Sequence, residues 1–254
     1  MGISHMPVYW LPIVIALWLP ISFIITYVLS VTAGHVYPWL PSISATGALP
    51  PESCWFGLFV NIATFLLLFA GYIRYAQVRE FSLCRPDLGP SSWTNLLATV
   101  VGFISGVGLF LVANWQITNN IRVHYFGAQC CFYCANIYFV FQTVFSFWMA
   151  PEMNSLFIFV LRAILSLLML ALNIGCNVCD YMATKLFTGN DIKDMLDWEP
   201  SQAGWGWHLA YAIMEWTLML VLALTVLTYY PDFRKIRLEE PTLKMKRLWE
   251  NQNF

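Results

Sequence analysis

The sequence predicts an all-α polytopic membrane protein: six transmembrane helices in one bundle, with both termini cytosolic. Three observations carry that reading. The 254 residues are 59% hydrophobic and only 11% charged, against about a quarter charged in a soluble domain. The charge deficit falls in blocks, leaving six apolar runs. Each is long enough to cross a hydrocarbon core of roughly 30 Å, which takes about 20 helical residues. Aromatic residues, 17% of the chain, gather at the ends of these runs, where indole and phenol rings favour the membrane interface. Backbone groups in lipid must be satisfied within their own segment, so the runs are helices rather than strands.

The spans lie at about 8–30, 55–76, 96–115, 123–149, 156–178 and 207–230, within one domain covering 1–254. The first, Val8–Ser30, leads into Val31-Thr32-Ala33, which has the form of a signal-peptidase site. No Lys or Arg precedes it and it is long for a signal core, so it reads as an uncleaved span. The third follows Gly89-Pro-Ser-Ser, which offers Ser91 or Ser92 as a helix cap. It also carries Gly102-x-x-x-Gly106, a spacing that lets another helix approach closely; packing within the chain is the default. Arg162 lies about two turns into the fifth span and is expected to snorkel to the surface. A short basic tail, 231–254, follows the sixth span.

Charge placement orients the bundle. With a cytosolic N-terminus, Arg74, Arg79, Arg85, Arg162, Arg234, Lys235, Arg237, Lys244, Lys246 and Arg247 fall on the cytosolic side. Only Arg122, Lys185 and Lys193 fall opposite. Ten against three is a clear positive-inside bias. The net charge of −1 provides no basic face, which excludes nucleic-acid binding. The first loop, His35–Gly57, then faces the lumen. It holds four prolines and, as its one acid, Glu52. The fifth loop, placed at Asp180 to Gly204, is acidic. Tyr230-Pro-Asp-Phe233 has the form of a tyrosine sorting signal but abuts the membrane.

Ionisable groups inside spans are expensive and therefore informative. Glu215 lies about 12 Å into the sixth span at 1.5 Å per residue, on the same face as His208. With Asn61, Asn114, His124 and Asn173 they predict a polar cluster in the luminal half, the cytosolic half being much drier. Three readings compete for it. Interhelical hydrogen bonding accounts for it without function. A site for a lipid headgroup or proton would use Glu215 and His208. A zinc site would need His35, His124 and His208, none of which has a paired metal-ligand spacing. The seven cysteines include Cys131-x-x-Cys134 and Cys176-x-x-Cys179, read first as small packing residues and second as a disulfide or metal pair, which Cys54 would be placed to join. No nucleophile elbow, phosphate loop, kinase signature or zinc-protease motif occurs. No cofactor, metal or catalytic residue is implied.

One set of motifs is more specific. The run Ala-Gly-His-Val-Tyr-Pro-Trp-Leu-Pro-Ser-Ile-Ser-Ala-Thr-Gly-Ala-Leu-Pro-Pro-Glu-Ser, Ala33 to Ser53, resembles the first luminal loop of the DNA-damage-regulated autophagy modulator (DRAM) family. Its matching residues include His35, Pro38, Pro41, Ser44, Thr46, Gly47, Pro50, Pro51 and Glu52. Further matches follow in order: Arg74-Tyr75, Val112-Ala-Asn-Trp-Gln116, Trp198-Glu-Pro200, His208 with Glu215-Trp216, and Asp232-Phe233. Ala45 and Ala48 depart from the family pattern, which has aspartate and a hydroxyl residue there.

The resemblance implies a lysosomal or endosomal protein that promotes autophagy without enzymatic chemistry, working with membrane lipids and proteins of the autophagy machinery. Two alternatives come with the wider family. One is a plasma-membrane adaptor for a phosphatidylinositol kinase that acts through the basic tail. The other is a lipid-remodelling enzyme centred on His35, His124, His208 and Glu215.

Overall fold

The computed structural model describes residues 5–189 and 191–239. Six long helices follow the six apolar runs: α1 Trp10–Thr32, α2 Glu52–Cys84, α3 Ser92–Asn114, α4 Ile121–Trp148, α5 Leu156–Leu186 and α6 Trp205–Leu227. All six are long and apolar enough to cross a membrane. Each packs on its chain neighbours, and α6 returns against α1. The exterior is apolar along the spans, with Phe65, Phe103, Phe157 and Leu167 among its exposed side chains. That inside-out distribution is what lipid as solvent selects.

Two helices run well past their apolar runs. Helix α2 continues to Cys84 and α5 to Leu186. Hydropathy stops where lipid contact stops, whereas helical hydrogen bonding does not. Asp180, placed by the sequence in the fifth loop, is therefore on α5. Caps then close three helices: Ser91, Asn120 and Ser155 accept hydrogen bonds from Thr94, Val123 and Ile158 backbone amides at 3.2, 3.2 and 3.3 Å. Each satisfies one orphan donor of a first turn.

Helices α3 and α4 come into backbone contact at Gly108 and Gly127. A Cβ on Gly108 would stand 2.4 Å from the Cys131 amide nitrogen and 2.6 Å from the Gly127 carbonyl. The sequence singled out a different pair. Gly102 faces Tyr138 of α4 and Gly106 faces Leu68 of α2, so the Gly102-x-x-x-Gly106 stripe packs within the chain.

The bundle has two distinct ends. Residues His5–Met6 pair antiparallel with Leu238–Glu239, which brings the first and last described segments to one end, the terminal face. The α1–α2 connection and the turns before α4 and α6 form the opposite, loop face.

Candidate functional site: two buried polar centres

The loop face is closed by the proline-rich segment, which folds inward as a plug. Pro41, Ser42, Ile43, Ala45, Thr46, Gly47 and Ala48 are buried. A turn of 3₁₀ helix spans Ala45–Gly47. Gly47 is forced by contact: a Cβ there would lie 2.3 Å from the Phe56 ring. Hydrogen bonds staple the plug from every side. Trp216 Nε1 donates to the Pro41 carbonyl at 2.9 Å and Tyr27 to Pro38 at 2.8 Å. Thr118 donates to Ala48 at 2.6 Å, and the Thr26 and Thr46 hydroxyls are 3.0 Å apart. Ala45, where the family pattern has aspartate, packs with Val36, Ala48 and Leu196.

Glu215 anchors this plug to α6. Its Oε2 accepts from the Ile43 backbone amide at 2.6 Å, and its Oε1 from Ser44 at 3.3 Å and Tyr211 at 3.2 Å. His124 Nε2 lies 3.1 Å from the same Ser44 hydroxyl, while its Nδ1 faces the Trp115 carbonyl at 2.8 Å. Glu215, Ser44 and His124 thus form one chain across α6, the plug and α4.

The other residues singled out from sequence are dispersed. Asn61 and Asn114 exchange side-chain amide bonds at 3.2 and 3.0 Å between α2 and α3. Asn173 donates to the Phe132 carbonyl at 3.3 Å. His208 stacks on Trp198, 4.7 Å between ring centres, rather than joining Glu215. His35 Nδ1 is 2.6 Å from Glu52 Oε1 at the first turn of α2. Glu52 is fully buried. The three histidines that a zinc site would need go to three different partners. Among the described residues no group of three or more His, Cys, Asp or Glu is gathered for a metal. Cys131, Cys176 and Cys179 are buried thiols on their helices, and Cys54 is an exposed one.

The terminal half contradicts its expected dryness. Arg162 does not snorkel; it is fully buried. Its Nη2 donates to Asp232 Oδ2 at 2.7 Å and to the Thr228 carbonyl at 2.8 Å. Its Nη1 donates to Ser146 at 2.6 Å. Arg74 reaches the same carboxylate at 3.0 Å and also bonds Gln77 and Gln142 at 2.8 and 3.0 Å. The Tyr229 ring lies 3.7 Å from the Arg162 guanidinium carbon and 5.3 Å from that of Arg74. A cation over an aromatic face is stabilised by the ring quadrupole. Desolvating two guanidiniums is the cost, and one carboxylate, two amide oxygens, a carbonyl and a ring face offset it. Asp232 and Phe233 are buried in the helical turn Tyr230–Phe233, so the resemblance to a sorting signal lies in a segment packed against the bundle.

Between the two centres runs an apolar cavity of about 400 Å³ that reaches Ser44 and Glu215 at the plug. The arrangement is a plugged loop face, a charged centre at the terminal face and an apolar cavity between them.

A family model described as the Frag1/DRAM/Sfk1/Cwh43P N-terminal domain matches residues 7–236. The chain belongs to that family. DNA damage-regulated autophagy modulator protein 2 of Mus musculus is 34% identical over 90% of this chain and 85% of its own length. DNA damage-regulated autophagy modulator protein 1 of Homo sapiens is 32% identical over 92% and 94%. Modulator of macroautophagy TMEM150B-B of Xenopus laevis is 28% identical over 88% and 84%. No solved structure matches the chain.

Within this Frag1/DRAM/Sfk1 member, the loop motif has a structural meaning: the Ser42, Ser44 and Thr46 hydroxyls are consumed in fixing the plug. Arg74, Gln142, Arg162 and Asp232 were missed as a site. Their signal was present as two arginines and a glutamine inside otherwise apolar runs, but the shared carboxylate lies 158 and 70 residues away from the two arginines.

Proposed function

We propose that this multi-pass membrane protein resides in lysosomal or endosomal membranes and promotes autophagy without itself catalysing a reaction. The observation that carries the reading is the match, over nine-tenths of the chain, to proteins named autophagy modulators. Two features of the site support the non-catalytic part. Glu215 is committed to an amide and two hydroxyls rather than poised against a nucleophile. His35, His124 and His208 serve separate structural contacts. The protein acts through membrane lipids and through partners in the autophagy machinery, with the loop face toward the lumen.

Endogenous tagging combined with deletion and overexpression tests this. The tag should coincide with lysosomal or endosomal markers, and flux of autophagic cargo should rise with overexpression and fall on deletion. A protein confined to the plasma membrane, with flux unchanged in both directions, would overturn the proposal.

A further inference from the structure

The interior cavity adjoins a second, smaller one of opposite character. The large cavity is walled by apolar side chains, and Glu215 is the one acidic or basic residue among those lining it. It extends along α2 from Phe56 to Tyr72, about 24 Å at 1.5 Å per residue, or most of a roughly 30 Å hydrocarbon core. Tyr72 and Phe103 in its wall are exposed on the lipid side. Close-packed interiors hold few voids larger than a water molecule, so an apolar space of this size calls for an apolar occupant, and the size falls within the range of ligand sites.

The small cavity, about 50 Å³, lies between α4, α5 and α6 and is lined by His124, Tyr125, Asn177, Asp180, Tyr211 and Glu215, with others. Ser44, Ala128, Phe132, Glu215 and Leu218 line both cavities, so the two meet at the Glu215 carboxylate. One water needs about 10–15 Å³ by a comparable measure; the space suits a head of a few polar atoms. Its walls contain two carboxyl side chains and no Lys or Arg. The two carboxyl side chains disfavour an anionic head, whereas an ammonium brings three donors to their oxygens.

The seam beside this pocket is itself unusual. Gln129 donates to Asn177 at 2.7 Å, Asn177 to the Tyr133 hydroxyl at 3.2 Å, and Tyr125 to Asp180 at 3.3 Å. Gln129 and Asn177 are exposed; Gln129 lies about 9 Å inside the fourth apolar run, and Asn177 lies at the loop-face edge of the fifth. A polar seam that starts at the edge of the apolar surface and runs inward offers a path for something polar.

We propose that the two cavities together bind a single-chain membrane lipid with a small cationic head, of the long-chain amino-alcohol class. The chain fills the large cavity, and the amine and hydroxyl sit between Asp180 and Glu215, having entered along the α4–α5 seam. This goes beyond the autophagy reading and does not depend on it.

The test uses the full-length protein in native membranes and three photoreactive, clickable probes of equal chain length: a sphingoid base, a monoacylglycerol and a fatty acid. The sphingoid base should label at least five-fold more strongly than either other probe, with adducts on residues lining the large cavity. Ala135→Trp and Ala128→Phe, which fill that cavity, should each cut labelling about ten-fold while retaining the native gel-filtration profile. Asp180→Asn, on the seam, should bring the sphingoid base down to the level of the monoacylglycerol. Equal or stronger labelling by the fatty acid or the monoacylglycerol would overturn the proposal. So would sphingoid labelling indifferent to a folded cavity-filling variant, or indifferent to Asp180→Asn if neither filling variant folds.

Discussion

Asp232 serves two guanidiniums with one carboxylate, so it is the residue whose loss should be felt most at the terminal face. Its removal leaves Arg74 and Arg162, both buried, without a counter-ion. Breaking a buried pair from one side costs about 3–5 kcal/mol, most of it the uncompensated charge. Asp232→Ala should lower thermal stability in nanodiscs by that amount, and Asp232→Ala with Arg162→Met should recover part of it. At the loop face, Glu215→Leu orphans the Ile43 amide and should cost about 1–3 kcal/mol. Glu215→Gln retains an acceptor for that amide and should cost less. The same two variants, read by unfolding temperature, separate a structural anchor from a group needed only when charged. The sequence identified Glu215 correctly as a buried acid but paired it with His208 on helical spacing alone. Trp198 takes that ring instead, and its approach through the α5–α6 connection leaves no trace in the local pattern.

At the scale of elements, the number, order and type of the six helices were legible because each apolar run is long and uninterrupted. Their ends were not, since α2 and α5 continue as helices beyond the lipid-facing stretch. A serine cap before the third run was readable as Ser91 or Ser92, and Ser91 is the one that caps. The α3–α4 crossing was hidden, because Gly108 and Gly127 lie on different helices and neither completes a small-residue repeat with the other. Gly108→Val tests the crossing. Its new Cβ meets backbone atoms at 2.4 and 2.6 Å, which cannot rotate away as a side chain does. Overpacking of this kind costs about 1–3 kcal/mol, and the upper end is expected here. Gly106→Ala, which meets only the Leu68 side chain, should cost less in the same unfolding assay. A reversed order would place the critical approach at α2–α3 instead.

The whole molecule has charge at both ends, but only part of it reports orientation. Arg74 and Arg162 counted toward the cytosolic side in the sequence, yet both are neutralised inside the bundle by Asp232. Removing them from the ten leaves eight basic residues against three, so the positive-inside bias survives. Three of the eight, Lys244, Lys246 and Arg247, lie outside the described residues. Exposed pairs at the same face contribute little by comparison. The Arg85 guanidinium beside Asp87 holds that carboxyl below its ordinary range. The resulting stabilisation is present above the ordinary carboxylate pKa and is lost as pH falls through the lowered one. It is small because water screens both groups. Orientation therefore rests on the cations outside the buried centre, while the pairing of His5–Met6 with Leu238–Glu239 puts these two segments on one face whichever way the bundle sits. Epitope tags on the N- and C-termini should both be accessible after selective permeabilisation of the plasma membrane, and a tag inserted at Gly189 between α5 and α6 should not be. Accessibility of the Gly189 tag alone would invert the bundle, and with it the assignment of the plug to the lumen. Accessibility of only one terminus would contradict the six-span fold itself.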